Sequence, residues 1–169
     1  MPPIDEIDRR TDVVFILFHY MDSIRGVTKL QKLLFLIEQE TEFFEEYEED
    51  IAFNFAPYKM GPFSEMVYEE LHFLLQMGAI EATPMDDGPL AGVDDDDLSN
   101  KEFSITPKGT KIASQLVEIL EPKYQTELAE IVESYGDLSL SELLEVVYTS
   151  YPAFATESEI KDELQLEGD

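Results

Sequence analysis

Apolar side chains recur along most of this chain at the spacing of an α-helix, and a few short stretches break that rhythm. Residues 11–22 place Val14, Leu17, Phe18 and Met21 at i, i+3, i+4 and i+7, which predicts a first amphipathic helix. "GVTKLQKLLFLIEQE" repeats the pattern with Leu30, Leu33, Leu34 and Ile37, and Thr28 stands where an N-cap would. The rhythm then changes to a period of two: Ile51, Phe53 and Phe55 alternate with Ala52, Asn54 and Ala56, which predicts a short strand. "MGPF" is a turn signal, Ser64 caps the helix it opens, and Val67, Leu71, Leu74 and Leu75 line one face of that helix until Gly78 stops it.

Beyond Gly78 the chain runs through the short apolar segment "GAIEA" into an irregular, acidic stretch reaching Asn100. "EFSIT" reads as a second strand, and "TPKGTKIASQLVEIL" as a helix with Thr106 as cap and Pro107 at its first position. Helix, strand, long loop, strand and helix in that order is the layout of a winged helix, with residues 82–101 as the wing tip. After Pro122 the periodicity resumes: Tyr124, Leu128, Ile131, Val132 and Tyr135 share a face that ends at Gly136. A capping box from Ser139 to Glu142 opens another helix carrying Leu143, Leu144, Val147, Tyr148 and Tyr151, and Thr156 with Glu159 repeats the box. The expectation is a mainly α protein with a small β-wing: a winged helix-turn-helix over residues 1–121, and a C-terminal helical segment, 122–169, that packs on it or pairs with a second copy.

Composition changes this picture in one respect above all. The 169 residues include 38 acidic and 11 basic side chains, a formal charge of −27. Carboxylates this dense repel one another and oppose the compact state unless salt screens them. At about 1 M ionic strength the Debye length is roughly 3 Å, so the acid predicts a salt-rich setting such as the cytoplasm of a haloarchaeon. The acid is dispersed through every helix, which argues against an ordered mimic of nucleic-acid phosphates. A hydrophobic fraction of 44%, with 11 Phe and 8 Tyr, is enough for a true core. Cysteine is absent, the start lacks the apolar stretch of a leader, and no run reaches the length of a membrane span, so the chain is expected to be cytoplasmic and away from membranes.

Candidate chemistry is sparse. His19 and His72 fall on different helices without ligand-like neighbours, and "DDDD" at 94–97 lacks the alternation and turn glycine of a calcium loop, so no metal is expected. "GPFSE" lacks the spacing of a nucleophile elbow, and "MGP" and "PKG" lack that of a phosphate loop. An enzyme is the least supported class, and no cofactor is implied. The scarce cations are unevenly placed: Arg25, Lys29, Lys32 and Lys59 lie on or beside the "KLQKLLFL" helix, and Lys101, Lys108 and Lys111 follow the acidic loop. These seven are the candidate DNA-binding residues. The helix at 65–76, which would read a major groove, offers Glu65, Glu69 and Glu70 and only Gln76 of the usual base-reading types. If the partner is a protein instead, Tyr58, Met60, Phe63 and Tyr68 around the GPF turn are the candidate anchors.

"GAIE…FSITPKGTKIA" is similar to the wing and exit helix of MarR- and PadR-type winged-helix proteins. "KLQKLLFL" followed by "YKMGPFSEMVYEEL" resembles, more narrowly, the Panacea antitoxin-domain family. The first resemblance implies a DNA-binding transcriptional regulator; the second implies a non-enzymatic domain that binds and neutralises a toxin. The matching segments lie within about residues 11–120, and the acidic wing and the helices after Pro122 depart from both patterns. The expectation is therefore a non-enzymatic winged-helix regulatory protein of a halophile, a DNA-binding transcriptional regulator on the first resemblance, with a protein-binding, antitoxin-like adaptor as the alternative.

Overall fold

The computed structural model describes residues 7–58, 61–84 and 101–155. They form seven α-helices, a three-stranded antiparallel sheet and a two-stranded hairpin, so the chain is mainly α with a small β component. In chain order these are α1 (Arg10–Met21), β1 (Ser23–Arg25), α2 (Val27–Glu40), α3 (Glu42–Ile51), β2 (Ala56–Tyr58), β3 (Gly61–Phe63) and α4 (Glu65–Gln76). There follow β4 (Ile80–Pro84), β5 (Lys101–Ile105), α5 (Pro107–Glu118), α6 (Pro122–Tyr135), α7 (Leu140–Ser150) and a short 3-10 turn at Pro152–Ala155.

Two helices form the centre. α1 packs against α3, α4, α5 and α6, and α2 against α3, α6, α7 and the hairpin strand β3. α2 is buried all round over one stretch: every residue from Leu30 to Ile37 is buried, two of them polar, Gln31 and Lys32. The helices after Pro122 share the same core. Tyr124, Leu128 and Ile131 of α6 and Leu143, Leu144, Val147 and Tyr148 of α7 belong to one hydrophobic cluster with Val14, Phe18, Leu30 and Phe35. Polar contacts fasten the same join: Glu127 of α6 accepts from the backbone N–H groups of Glu42 (2.8 Å) and Phe43 (3.0 Å), two of the donors that the start of α3 leaves unsatisfied. Glu40, the last residue of α2, accepts from the hydroxyls of Tyr135 and Tyr151, each at 2.8 Å. The apolar faces of α6 and α7 thus turn inward within this chain.

β5 is the middle strand of the larger sheet, antiparallel to β1 on one side and to β4 on the other. Ile24 and Ala82 both face Phe103 across it, and Phe103 is fully buried. α5 starts as its sequence predicts, with Thr106 Oγ1 accepting from Gly109 N and Pro107 in the first turn. It lies so close to the turn just before β4 that a Cβ at Gly109 would come within 2.1 Å of the Ala79 carbonyl oxygen, a position only glycine fits. The capping box of α7 is present too: Glu142 N donates to Ser139 Oγ (3.1 Å) and Ser139 N to Glu142 Oε1 (2.8 Å).

Several sequence expectations need correction. α2 begins at Val27 behind Gly26, whose φ of 97° is one that L side chains rarely adopt, so Thr28 lies inside the helix and is not its cap. The alternating stretch 51–56 is not a strand: Ile51 ends α3, residues 52–55 are irregular, and β2 starts only at Ala56. Phe53 is buried for another reason, because its N–H is held by Glu38 and its carbonyl by Ser64. The GPF turn signal is itself a strand, β3, paired with β2 in the register Ala56↔Phe63, Pro57↔Pro62 and Tyr58↔Gly61. The tip of the acidic loop, including Asp94 to Asp97, and the second capping box at Thr156 and Glu159 lie outside the described residues.

Candidate functional site

The surface singled out by sequence is built where α2, the hairpin and α4 meet. α2 supplies side chains that grip the backbone of the segment inserted before α4. Gln31 makes a reciprocal pair with Ser64, its Nε2 donating to Ser64 O (3.2 Å) and its Oε1 accepting from Ser64 N (3.0 Å). Lys32 Nζ donates to the Pro62 carbonyl at 2.9 Å. Ser64 Oγ donates to Phe53 O (2.6 Å) and accepts from Met66 N (3.2 Å), so one hydroxyl both caps α4 and holds the loop behind it. Further along α2, Glu38 accepts from Phe53 N at 2.8 Å. Arg10 reaches across from α1, its Nε donating to Ala52 O at 2.6 Å.

This arrangement overturns one expectation directly. Lys32 is 2% exposed, so it cannot meet a phosphate; it is a buried clamp on the hairpin. Burial pushes its ammonium down to about 7, because a charge away from water is costly and a carbonyl offsets only part of that cost. Burial likewise pushes Glu38 up to about 7, raised further by Glu48 and opposed by the Phe53 N–H and by Arg10.

The other predicted cations are scattered. Arg25 sits on β1 opposite Glu102 of β5, with its guanidinium 3.3 Å from that carboxylate. Lys29 is half-buried, with its ammonium lowered by desolvation and raised in part by Asp137. Lys108 Nζ donates to Met77 O at 2.6 Å, meeting the carbonyls that the end of α4 leaves unsatisfied. Lys101 lies beside β1, its carbonyl accepting from Gly26 N at 2.9 Å, and Lys111 is exposed on α5. Lys59 lies outside the described residues.

Of the predicted protein-binding anchors, Phe63 and Tyr68 come together, with ring centroids 5.8 Å apart, both half-buried on the side where β3 leads into α4. Tyr58 is at the end of β2, opposite Gly61, and Met60 lies outside the described residues. α4 itself turns Val67, Leu71 and Leu74 inward and Glu65, Glu69, His72, Phe73 and Gln76 outward. Glu70, on its flank, accepts from the Thr11 hydroxyl of α1.

Sequence reasoning missed Gln31 and Glu38 as structural clamps and Phe73 as an exposed ring. The signal for the first was present: Phe35 and Leu36 lie off the Leu30, Leu33, Leu34 and Ile37 face, and a helix apolar all round has no wet side on which to place Gln31 and Lys32. Among the described residues there is no cluster of side chains suited to a metal ion and no helix long and apolar enough to cross a membrane. Comparison with protein-family models finds no match to this chain, and comparison with curated proteins finds none either.

Proposed function

We propose that this chain is a non-enzymatic regulatory protein of a halophile that uses a winged-helix frame to bind another protein, in the manner of an antitoxin or adaptor. The frame is supported by the sheet: β1, between α1 and α2, pairs with β5 of the β4–β5 pair that follows α4. That is the connectivity expected of a wing behind a helix-turn-helix, with α3 and the hairpin inserted ahead of α4.

One observation carries the choice of partner. α4, the helix in the reading position, contains no Lys or Arg and turns Glu65 and Glu69 outward. A phosphate backbone approaching that face meets like charge, and binding to DNA depends on cations that displace its counterions. Three of the seven cations that sequence assigned to that task are instead engaged within the protein, Lys32 and Lys108 with backbone carbonyls and Arg25 with the Glu102 carboxylate.

The test is binding at molar KCl with two sets of variants of the full chain, Phe63→Ala with Tyr68→Ala, and Arg25→Glu with Lys101→Glu and Lys111→Glu. Captured protein partners should be lost with the aromatic pair and kept with the charge reversals. A promoter fragment that binds the wild type and not the charge-reversed chain would overturn the proposal in favour of a DNA-binding regulator.

A further inference from the structure

Among the described residues, Phe73 is the large apolar side chain that remains exposed, at 44%. Its position on α4 is specific. Glu65, Glu69 and Phe73 follow one another at i, i+4 and i+8, so they stand in one ridge along the helix, and the exposed His72 and Gln76 flank its far end. The opposite side of the helix packs on α1 and β4, and among the described residues this ridge is uncovered. Neither Glu65 nor Glu69 pairs with a cation among the described residues. Glu65 lies in the first turn, where the helix N-terminus favours a carboxylate; Glu69 lies a full turn further in and gains little from it.

We propose that this ridge docks a cationic amphipathic helix of another protein, whose basic side chains meet Glu65 and Glu69 and whose apolar side chain covers the Phe73 ring. The inference rests on the protein-binding reading above and extends its surface along α4. Charge selects the occupant. A second copy of the chain would bring the same carboxylates against themselves, and nucleic acid would be repelled by both. At about 1 M salt, where the Debye length is roughly 3 Å, only charge pairs in direct contact persist, so Phe73 carries the affinity and the carboxylates choose the partner.

The experiment is an amide chemical-shift titration of the full chain in molar KCl. The probes are an amphipathic leucine–lysine peptide of about three helical turns, its leucine–glutamate counterpart, and a short DNA duplex. The lysine peptide should shift Glu69, His72, Phe73 and Gln76 saturably; Phe73→Ser should weaken it by about tenfold, the size expected of an interface anchor, and Glu69→Lys should weaken it by less while narrowing the preference for lysine over glutamate peptide. Phe73→Leu should restore most of the binding. Since both positions are exposed, neither change threatens the fold. Shifts spread evenly over the acidic surface, equal binding of the glutamate peptide, binding of the duplex on this face, or self-association lost with Phe73→Ser would each overturn the proposal. Shifts confined to Phe63 and Tyr68 would overturn it while leaving the broader protein-binding reading intact; loss of a captured partner with neither surface involved would remove both.

Discussion

The polar side chains of α2 and those of α4 meet opposite fates. Gln31, Lys32 and Glu38 turn toward the inserted segment and bind its backbone at Ser64, Pro62 and Phe53. Glu65, Glu69, His72 and Gln76 turn to solvent. In a chain with 11 basic residues among 169, a lysine looks like a functional asset wherever it falls. Yet Lys32 closes a hydrogen bond that a strand packed on a buried helix would otherwise lack, because an unpaired carbonyl away from water costs about as much as a lost hydrogen bond. Charge on the inner helix holds backbone in place, and charge on the outer helix is left to solvent.

The sharpest way to break that comparison is to reverse charge at the inner site. Lys32→Glu puts a carboxylate against the Pro62 carbonyl with no donor between them, and a buried charge without a partner costs about 3–5 kcal/mol. The variant should be largely unfolded by circular dichroism even in molar KCl. Lys32→Met keeps the apolar stem and orphans the carbonyl alone, so urea denaturation should show a loss of about 1–3 kcal/mol. If Lys32→Glu folds like the wild type, the clamp is not structural.

A second measurement separates the two buried groups by pH. The folded-state value of Lys32, about 7, lies below its ordinary 10.5, so between those limits the folded chain holds fewer protons than the unfolded one. Its contribution is complete above 10.5 and is lost as pH falls toward 7. Glu38 runs the other way: raised from 4.5 to about 7, it contributes fully below 4.5 and its contribution is lost as pH rises through 7. The stability gap between wild type and Lys32→Met should therefore widen as pH rises above 7, and that between wild type and Glu38→Gln should shrink as pH rises from 4.5. Each slope should be at most about 1.4 kcal/mol per pH unit. Gaps that stay flat with pH in both pairs would mean that water reaches both groups.

How far the sequence revealed all this depends on how local each signal is. Thr106 with Pro107, Ser64, and Ser139 with Glu142 act within one turn of their own helix, and each stands where its residue type predicts. The start of α2 was misread because Thr28 has the right chemistry while the backbone turn that starts the helix comes from Gly26. Ile51, Phe53 and Phe55 alternate like a strand, yet their burial comes from contacts far along the chain: Phe55 and Phe154 both pack on Phe35, with ring centroids at 5.6 and 4.7 Å. At the candidate interface, the acidic character of α4 was readable from composition. The exposure of Phe73 depends on which flank of α4 meets α1, and a single helical wheel does not fix that.

A smaller effect probes the join between the two regions. Ser64 belongs to both, as the cap of α4 and as a ligand of Gln31 and of the Phe53 carbonyl. Ser64→Ala should cost about 1–2 kcal/mol, in the range of lost N-caps. Gln31→Leu at the other end of the pair should cost a similar amount, because it leaves the Ser64 backbone unsatisfied. The double variant should fall short of the sum, since residues sharing one hydrogen-bond network couple. Strict additivity in urea denaturation would show that the two bonds act independently and that hairpin and α4 are held separately.

The smallest expected effect lies on the outer helix and separates screening from structure. Glu69 is exposed, and no cation pairs with it among the described residues, so Glu69→Gln removes a repulsive charge and no contact. In molar KCl the Debye length is roughly 3 Å, which screens Glu69 from most other carboxylates, and the melting temperatures of wild type and variant should coincide. At the lowest salt that keeps the wild type folded, the variant should be more stable by a few tenths of a kcal/mol, within the usual range of surface changes of about 0.5 kcal/mol. Lys32→Met, by contrast, should cost nearly the same at both salt levels, because a buried hydrogen bond is hardly screened. A salt-dependent loss at Lys32, or a salt-independent one at Glu69, would reverse the assignment of inner charge to structure and outer charge to solvent.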